Sequence, residues 1–309
     1  MENFIKHVNI HNFKSIADLK LEDCKRINLF IGYPNVGKSN VLEALGLFSS
    51  PFLEKANDIH KLVRFEYGRE LFYNATAEEF IIETNLSTIR CVAPNVEQFV
   101  SMWNWNSNVF KYDFRTNNQW KTNGNAQLLP PFGENIIDVL SFNQNISEVK
   151  KWIANELSKK NKELVLDKTT NSLRFQQRLN DEEVFSLPYS ALADTLQRLI
   201  FYKTALASNK NSVLLFEEPE AHAFPPYISV LMQDIIEAKT NQFFMTTHSP
   251  FVINEFLEYE HLRRETSIYL FDFKNNQTTV KRLTDEEMDE VYNYGIDLFF
   301  NIESFLRDE

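Results

Sequence analysis

Apolar and polar positions change rhythm twice along this chain. Up to about residue 50, strand-like apolar stretches at residues 4–10, 16–21 and 27–31 lead into a helical pattern over residues 38–49. There Val41, Leu42, Leu45, Leu47 and Phe48 recur at mostly helical spacing. The run Ile27-Asn28-Leu29-Phe30-Ile31 is short and apolar enough for a buried parallel strand. Between about residues 51 and 187 the pattern is irregular, with strands predicted at 79–83, 88–92 and 109–114 and a helix at 146–157. Regular alternation returns from Pro188: a helix over about 190–207, a strand at 212–216, a helix over about 226–238, a strand at 242–246. Strands alternating with helices predict an α/β fold with a mainly parallel sheet. Near the end, Thr284-Asp-Glu-Glu287 has the capping-box form that opens a helix.

The segment between residues 33 and 38 turns this pattern into a site. Gly32 to Ser39 read G-Y-P-N-V-G-K-S, the phosphate-loop pattern, placed between the strand and the helix just described. Strand, glycine loop and helix in that order aim backbone N–H groups and a helix N-terminus at phosphate oxygens. Gly32, Asn35, Val36, Gly37, Lys38, Ser39 and Asn40 are therefore candidate nucleotide-binding residues. Lys38 would reach the β- and γ-phosphates, and the Ser39 hydroxyl would ligate Mg²⁺. A nucleoside triphosphate is the expected ligand.

A second half-site follows from the strand Val213-Leu214-Leu215-Phe216, which runs directly into Glu217-Glu218-Pro219-Glu220. This places carboxylates at the C-terminal edge of a central strand, where α/β proteins bind ligands. The first acid would hold the Mg²⁺ water shell, and the second would orient or deprotonate the attacking water. The next apolar strand, Phe243-Phe244-Met245-Thr246, ends in Thr247-His248-Ser249-Pro250, so that His248 can reach a γ-phosphate as a hydrogen-bond donor. A structural role is the alternative for this histidine.

Composition narrows the class. The 309 residues are 43% hydrophobic, enough for one large domain with a substantial core. A net charge of −11 argues against a generally basic nucleic-acid-coating protein and leaves room for a local basic groove. Cys24 and Cys91 show no metal or disulfide spacing, which suits a reducing cytosol. No run of about 18 apolar residues is present, and the N-terminus does not read as a signal peptide, so a cytoplasmic protein without membrane attachment is expected. Two features of the irregular zone carry alternatives. Trp103, Trp105, Phe110, Tyr112, Phe114 and Trp120 read as half-buried sheet residues or as a partner-contact surface. Lys150, Lys151, Lys159, Lys160 and Lys162 read as a solvated face or as phosphate-backbone contacts, opposite an apolar side of Val149, Trp152, Ile153 and Leu157.

Taken in order, Asn12-Phe13-Lys14-Ser15, G-Y-P-N-V-G-K-S-N, E-E-P-E-A-H-A-F-P and T-T-H-S-P resemble the ABC-type ATPases of the SMC/RecF-like and OLD-like branch. They are most similar to the compact AAA15/AAA21-type ATPases of bacterial defence and toxin–antitoxin loci. The resemblance covers residues 1–50 and 185–309. It implies a P-loop NTPase fold with an ABC-type ATPase head, a mainly parallel central sheet, an antiparallel β region and a helical insertion. The whole of 1–309 is then one such domain, with 51–187 as a variable insertion. It implies ATP and Mg²⁺ as cofactors and ATP sites formed between two subunits. It also gives Lys38 and Ser39 the Walker A role, Glu217 the Walker B metal position, Glu218 the catalytic base and His248 the switch histidine. Antiphage defence, a homodimer and a separate nuclease or toxin effector are further implications, since no effector motif is visible in the chain.

The departures from that family pattern matter equally. No glycine occurs between Gly133 and Gly295, so the trans-acting signature must be glycine-free. Its candidate is Ser190-Ala191-Leu192-Ala193-Asp194-Thr195-Leu196-Gln197-Arg198, with Ser190, Asp194 and Thr195 as the polar contacts and Ala193 and Thr195 where serine and glycine are expected. Glu217 stands in place of the usual aspartate. Gln98, Gln119, Gln127 and Gln144 are all candidates for the Q-loop. Slow hydrolysis is the expectation, with a non-hydrolysing nucleotide-dependent scaffold and a RecF/SMC-like DNA-repair ATPase as alternatives.

Overall fold

The computed structural model describes residues 3–53, 56–93, 108–116, 120–121, 124–142, 146–159, 161–167, 169–170 and 172–307. The chain forms two compact units, one of residues 1–111, 211–220 and 239–309, the other of 112–210 and 221–238.

In the first unit, β1 (Val8–Phe13), β2 (Ile16–Leu21), β4 (Glu79–Thr84) and β5 (Thr88–Val92) make an antiparallel sheet in the order β2-β1-β4-β5. The hairpin 79–92, which stands in the irregular zone of the sequence, therefore pairs with the start of the chain through Val8↔Thr84 and Ile10↔Ile82. Residues 4–7 do not extend β1, because the backbone of Ile5 exchanges both its hydrogen bonds with the buried Gln242 side chain instead of with a strand. The central sheet runs β13 (Gln277–Arg282), β12 (Thr266–Lys274), β3 (Ile27–Gly32), β11 (Gln242–Thr246), β10 (Val213–Glu217), β6 (Val109–Tyr112). Strands β12, β3, β11 and β10 are mutually parallel, as the alternation predicts. Every residue of β3 is buried, the pattern of a strand covered on both faces. Its one polar residue, Asn28, donates to the carbonyls of Lys25 and Phe243 and accepts from the Lys25 N–H, so its burial leaves no polar atom unpaired. The helices here are α1 (Lys38–Gly46), α6 (Pro250–Leu257), α7 (Glu260–Arg264), α8 (Asp285–Tyr294) and α9 (Leu298–Leu306). The Thr284 capping box opens α8, with Thr284 and Glu287 exchanging reciprocal bonds.

The second unit holds α2 (Ile136–Phe142), α3 (Ser147–Ser158), α4 (Asp194–Ser208) and α5 (Pro225–Glu237) with the antiparallel sheet β7 (Lys162–Asp167), β8 (Ser172–Arg178), β9 (Val184–Pro188). Val149, Ile153 and Leu157 of α3 are buried, while Lys151 and Lys159 pair with Glu148 and Glu156 in the solvated-face arrangement. Phe110 and Tyr112 are core residues, and the Tyr112 hydroxyl donates to the Leu128 carbonyl. Trp103, Trp105 and Lys160 lie outside the described residues. Among the described residues, no helix is long and apolar enough to cross a membrane.

Candidate functional site

The phosphate loop is shaped by two glycines that nothing larger can replace. Gly37 has φ +102°, and a Cβ there would lie 2.0 Å from Thr278 Oγ1; at Gly32 a Cβ would lie 2.6 Å from the Phe271 carbonyl oxygen. Both neighbours belong to β12 and β13, so the hairpin beside β3 holds the loop closed. Asn35, at φ +64°, takes the other left-handed position of the turn. Val36 is buried against Gly32, and Asn40 donates to Ser15 Oγ at 2.6 Å, which itself meets Thr278 Oγ1 at 2.7 Å. Asn40 thus fastens the loop to β13.

Lys38 is buried and its Nζ donates to the carbonyls of Gly32 (2.7 Å) and Tyr33 (2.8 Å). Burial pulls its pKa down to about 8, against the opposing pull of Glu218 and Glu217. Ser39 Oγ donates to Glu217 Oε1 at 2.5 Å, so the two groups read from sequence as metal ligands meet although 178 residues separate them. Burial alone would raise the Glu217 carboxyl, but the Ser39 hydrogen bond and the cations Lys111 and Arg64 outweigh it and hold the group below the ordinary carboxylate range.

Glu218 follows at the strand end with φ +44°, a left-handed turn held by its N–H donating to Thr246 O (3.2 Å) and Oγ1 (3.1 Å). The turn lifts the second carboxylate off the strand line toward the histidine: His248 Nε2 stands 3.4 Å from Glu218 Oε1. Burial, and then Lys38, lower the His248 pKa against the pull of Glu218, which favours the neutral imidazole near pH 7. The Phe299 ring lies 6.3 Å from the imidazole, centroid to centroid.

Lys38, Ser39, Glu217, Glu218 and His248 are therefore one cluster. A second ring of charge around it escaped the sequence reading. Arg64 Nη2 lies 3.2 Å from Glu217 Oε1 while its Nε donates to Glu43 Oε1 at 2.6 Å. Lys14 Nζ meets the other Glu43 oxygen at 2.5 Å and donates to the Arg64 carbonyl at 2.8 Å. Glu43 is fully buried. Its only sequence signal was an acid among the apolar positions of α1; Arg64, in a stretch of short turns, had none.

The signature candidates lie in the other unit. Ser190 sits in a single turn (Tyr189–Ala191), Leu192 and Ala193 are extended, and Asp194 is the first residue of α4. The helix therefore starts four residues later than the sequence pattern suggests. Thr195 Oγ1 donates to the His222 carbonyl at 2.9 Å, and Asp194 Oδ1 is buried without a hydrogen-bond partner. Gln127 donates to Asn209 Oδ1 in the same unit, and Gln98, Gln119 and Gln144 lie outside the described residues.

The loop's closed glycines, the buried lysine and the hydroxyl–carboxylate pair fit a Mg²⁺-bound nucleoside triphosphate. Comparison with known proteins points to an ATPase domain. A 70-residue stretch, 23% of the chain, is 36% identical to the "DNA replication and repair protein RecF" of Caldanaerobacter subterraneus and covers 19% of that protein. A 46-residue stretch is 48% identical to an uncharacterized protein of Methanocaldococcus jannaschii, covering 15% of this chain and 21% of the other. The chain thus spans about a fifth of the length of the curated relatives it matches. The fold is similar to an SMC head bound to the C-terminal winged-helix domain of ScpA, with TM-score 0.54 and 14% identity over 92% of this chain and 99% of the other. A second SMC head, with an extended coiled coil and bound to the C-terminal domain of ScpA derived from Pyrococcus furiosus, matches with TM-score 0.53 and 13% identity over 94% and 99%. The family model AAA_15, described as an AAA ATPase domain, matches residues 4–97 and 95–253. With a fold similar to SMC heads and a segment similar to RecF, the chain belongs to the AAA_15 family of AAA ATPase domains.

Proposed function

We propose that the chain is a slow, ATP-hydrolysing switch that dimerises on ATP and controls a separate effector. The observation that carries this reading is the Ser39–Glu217 pair set beside Glu218 and His248, which supports a metal position next to a base position at the ends of adjacent parallel strands. In this reading Lys38 exchanges its two loop carbonyls for β/γ-phosphate oxygens. Ser39 and Glu217 would hold Mg²⁺, which when bound would supply charge neutralisation at the phosphates. Glu218 orients and deprotonates the attacking water, and His248 donates to the γ-phosphate while its contact with Glu218 keeps the two in register. Arg64 would give up its contact with Glu217 if that carboxylate held a metal.

Slow turnover follows from the signature. Ser190, Asp194 and Thr195 are the trans-acting groups in this proposal, and Thr195 Oγ1 already donates within its own chain. A donor set missing one element commonly loses about 10²–10³ in rate. Dimerisation, a nuclease or toxin as effector and a place in bacterial defence rest on the resemblance of the motifs. The RecF-like segment favours one alternative, a DNA-repair ATPase. Light scattering of Glu218→Gln with Mg·ATP tests the switch: a long-lived dimer supports it, and a monomer at saturating ATP contradicts it.

A further inference from the structure

Glu220, the third acid of the Glu217-Glu218-Pro219-Glu220 turn, has no role in the reading above, yet it is the most enclosed of the three, at 6% exposure. Its Oε1 accepts from the Thr247 hydroxyl at 2.5 Å and from the His248 N–H at 3.2 Å. Thr247 Oγ1 in turn accepts from the Ser249 N–H at 3.0 Å. The backbone on both sides of His248 is thus tied, directly or through Thr247, to one buried carboxyl. A second tie runs the other way, from the Glu218 N–H to Thr246. Together they fix the strand end that carries the base relative to the strand end that carries the histidine.

The other oxygen, Oε2, is buried and has no hydrogen-bond partner. A bare buried oxygen is costly whether it carries carboxylate charge or a proton that finds no acceptor, so Oε1 makes all of the group's hydrogen bonds. Burial, reinforced by Glu218, raises its pKa against the pull of the Thr247 and His248 hydrogen bonds.

Resting on the ATPase reading, we infer that Glu220 is a positioning residue for hydrolysis: its carboxyl clamps the Thr247–His248 turn and so sets His248 against Glu218. Glutamine keeps this acceptor, because its carbonyl still accepts from Thr247 and His248. Alanine removes the acceptor and releases the turn. A displacement of about 1 Å in a reacting group costs on the order of 10²-fold in rate. Nucleotide affinity, carried by Lys38 and the loop amides, should not follow.

The test compares wild type, Glu220→Ala and Glu220→Gln for kcat, for the Kd of a fluorescent ATP analogue, and for the His248 imidazole resonance assigned by its loss in His248→Ala. The expected result is a kcat lowered about tenfold or more in Glu220→Ala with Kd within about twofold, a shifted histidine resonance, and near wild-type values in Glu220→Gln. If Glu220→Ala fails to fold, Thr247→Val, which removes the shared hydroxyl, should show the same split. Unchanged kcat and resonance in Glu220→Ala overturn the clamp, and equal damage in Glu220→Gln overturns the claim that the single acceptor holds the turn. A wild type that releases no phosphate refutes the functional reading instead, and the histidine resonance then still decides the clamp.

Discussion

The proposed phosphate contact of the buried Lys38 should make ATP affinity depend on pH in a range where ATP itself no longer titrates. Its pKa in the free protein lies at about 8, lowered chiefly by burial. The bound phosphates require the ammonium, so binding carries a proton with it once the free lysine is neutral. The factor lost is 1 + 10^(pH − pKa), about 1.1 at pH 7 and about 11 at pH 9, which predicts a Kd about tenfold weaker across that interval, or about 1.4 kcal/mol. Lys38 has a lowered pKa, so the sign is fixed: affinity is full below about 8 and falls as pH rises through it. The His248 pKa is lowered and both cysteines are pushed up to about 12, which keeps these groups from titrating in the same window. Titration with a fluorescent ATP analogue between about pH 7 and about pH 9 measures the slope. Lys38→Arg, whose guanidinium stays charged, should bind more weakly and lose the slope. A wild-type Kd that is flat over this range, or an unchanged slope in Lys38→Arg, would refute the reasoning.

Three more outcomes are expected. Gly37→Ala, with φ +102° and its new Cβ 2.0 Å from Thr278 Oγ1, should destabilise the protein by about 2 kcal/mol or more and lose ATP binding, read by thermal melting and titration. Arg64→Ala removes a cation that holds Glu217 low, so the stability from that depressed carboxyl, present at neutral pH and lost as pH falls through the folded pKa, should disappear at a higher pH than in wild type. Melting curves through the acid range check this, and because Arg64 is largely exposed its ion pair adds little at neutral pH. Ser39→Ala should leave Mg²⁺-free nucleotide binding nearly intact while raising the Mg²⁺ needed for turnover, measured by metal titration of phosphate release.

What could be read from sequence follows the range of the forces involved. Strands β3, β10 and β11 were legible because burial on both faces writes a continuous apolar run, and the loop between β3 and α1 because phosphate geometry demands its glycines. Helix ends were less so: α1 stops at Gly46 and gives way to a short 3₁₀ turn (Leu47–Phe52) containing Pro51, although the apolar spacing continues. Residues 4–10 look like a strand, but the side chain of Gln242, more than 230 positions away, captures the backbone of Ile5. Arg64, Glu43 and Lys14 carry no periodic signal, since an ion pair depends on which turns meet in space and not on spacing along the chain. Glu220 stood in plain view within the acidic turn, but its link to Thr247 required two strand ends side by side.

In the proposed mechanism Glu218, beside a Lys38–Ser39–Glu217 phosphate and metal site, drives hydrolysis. Phosphate release from wild type, Lys38→Ala and Glu218→Gln under saturating Mg·ATP tests it most directly. Wild-type turnover should lie below roughly 1 s⁻¹, at the low end of enzyme rates, and both variants should lose about 10²-fold or more, with ATP still bound by folded Glu218→Gln. A Glu218→Gln protein that hydrolyses ATP at the wild-type rate would contradict it.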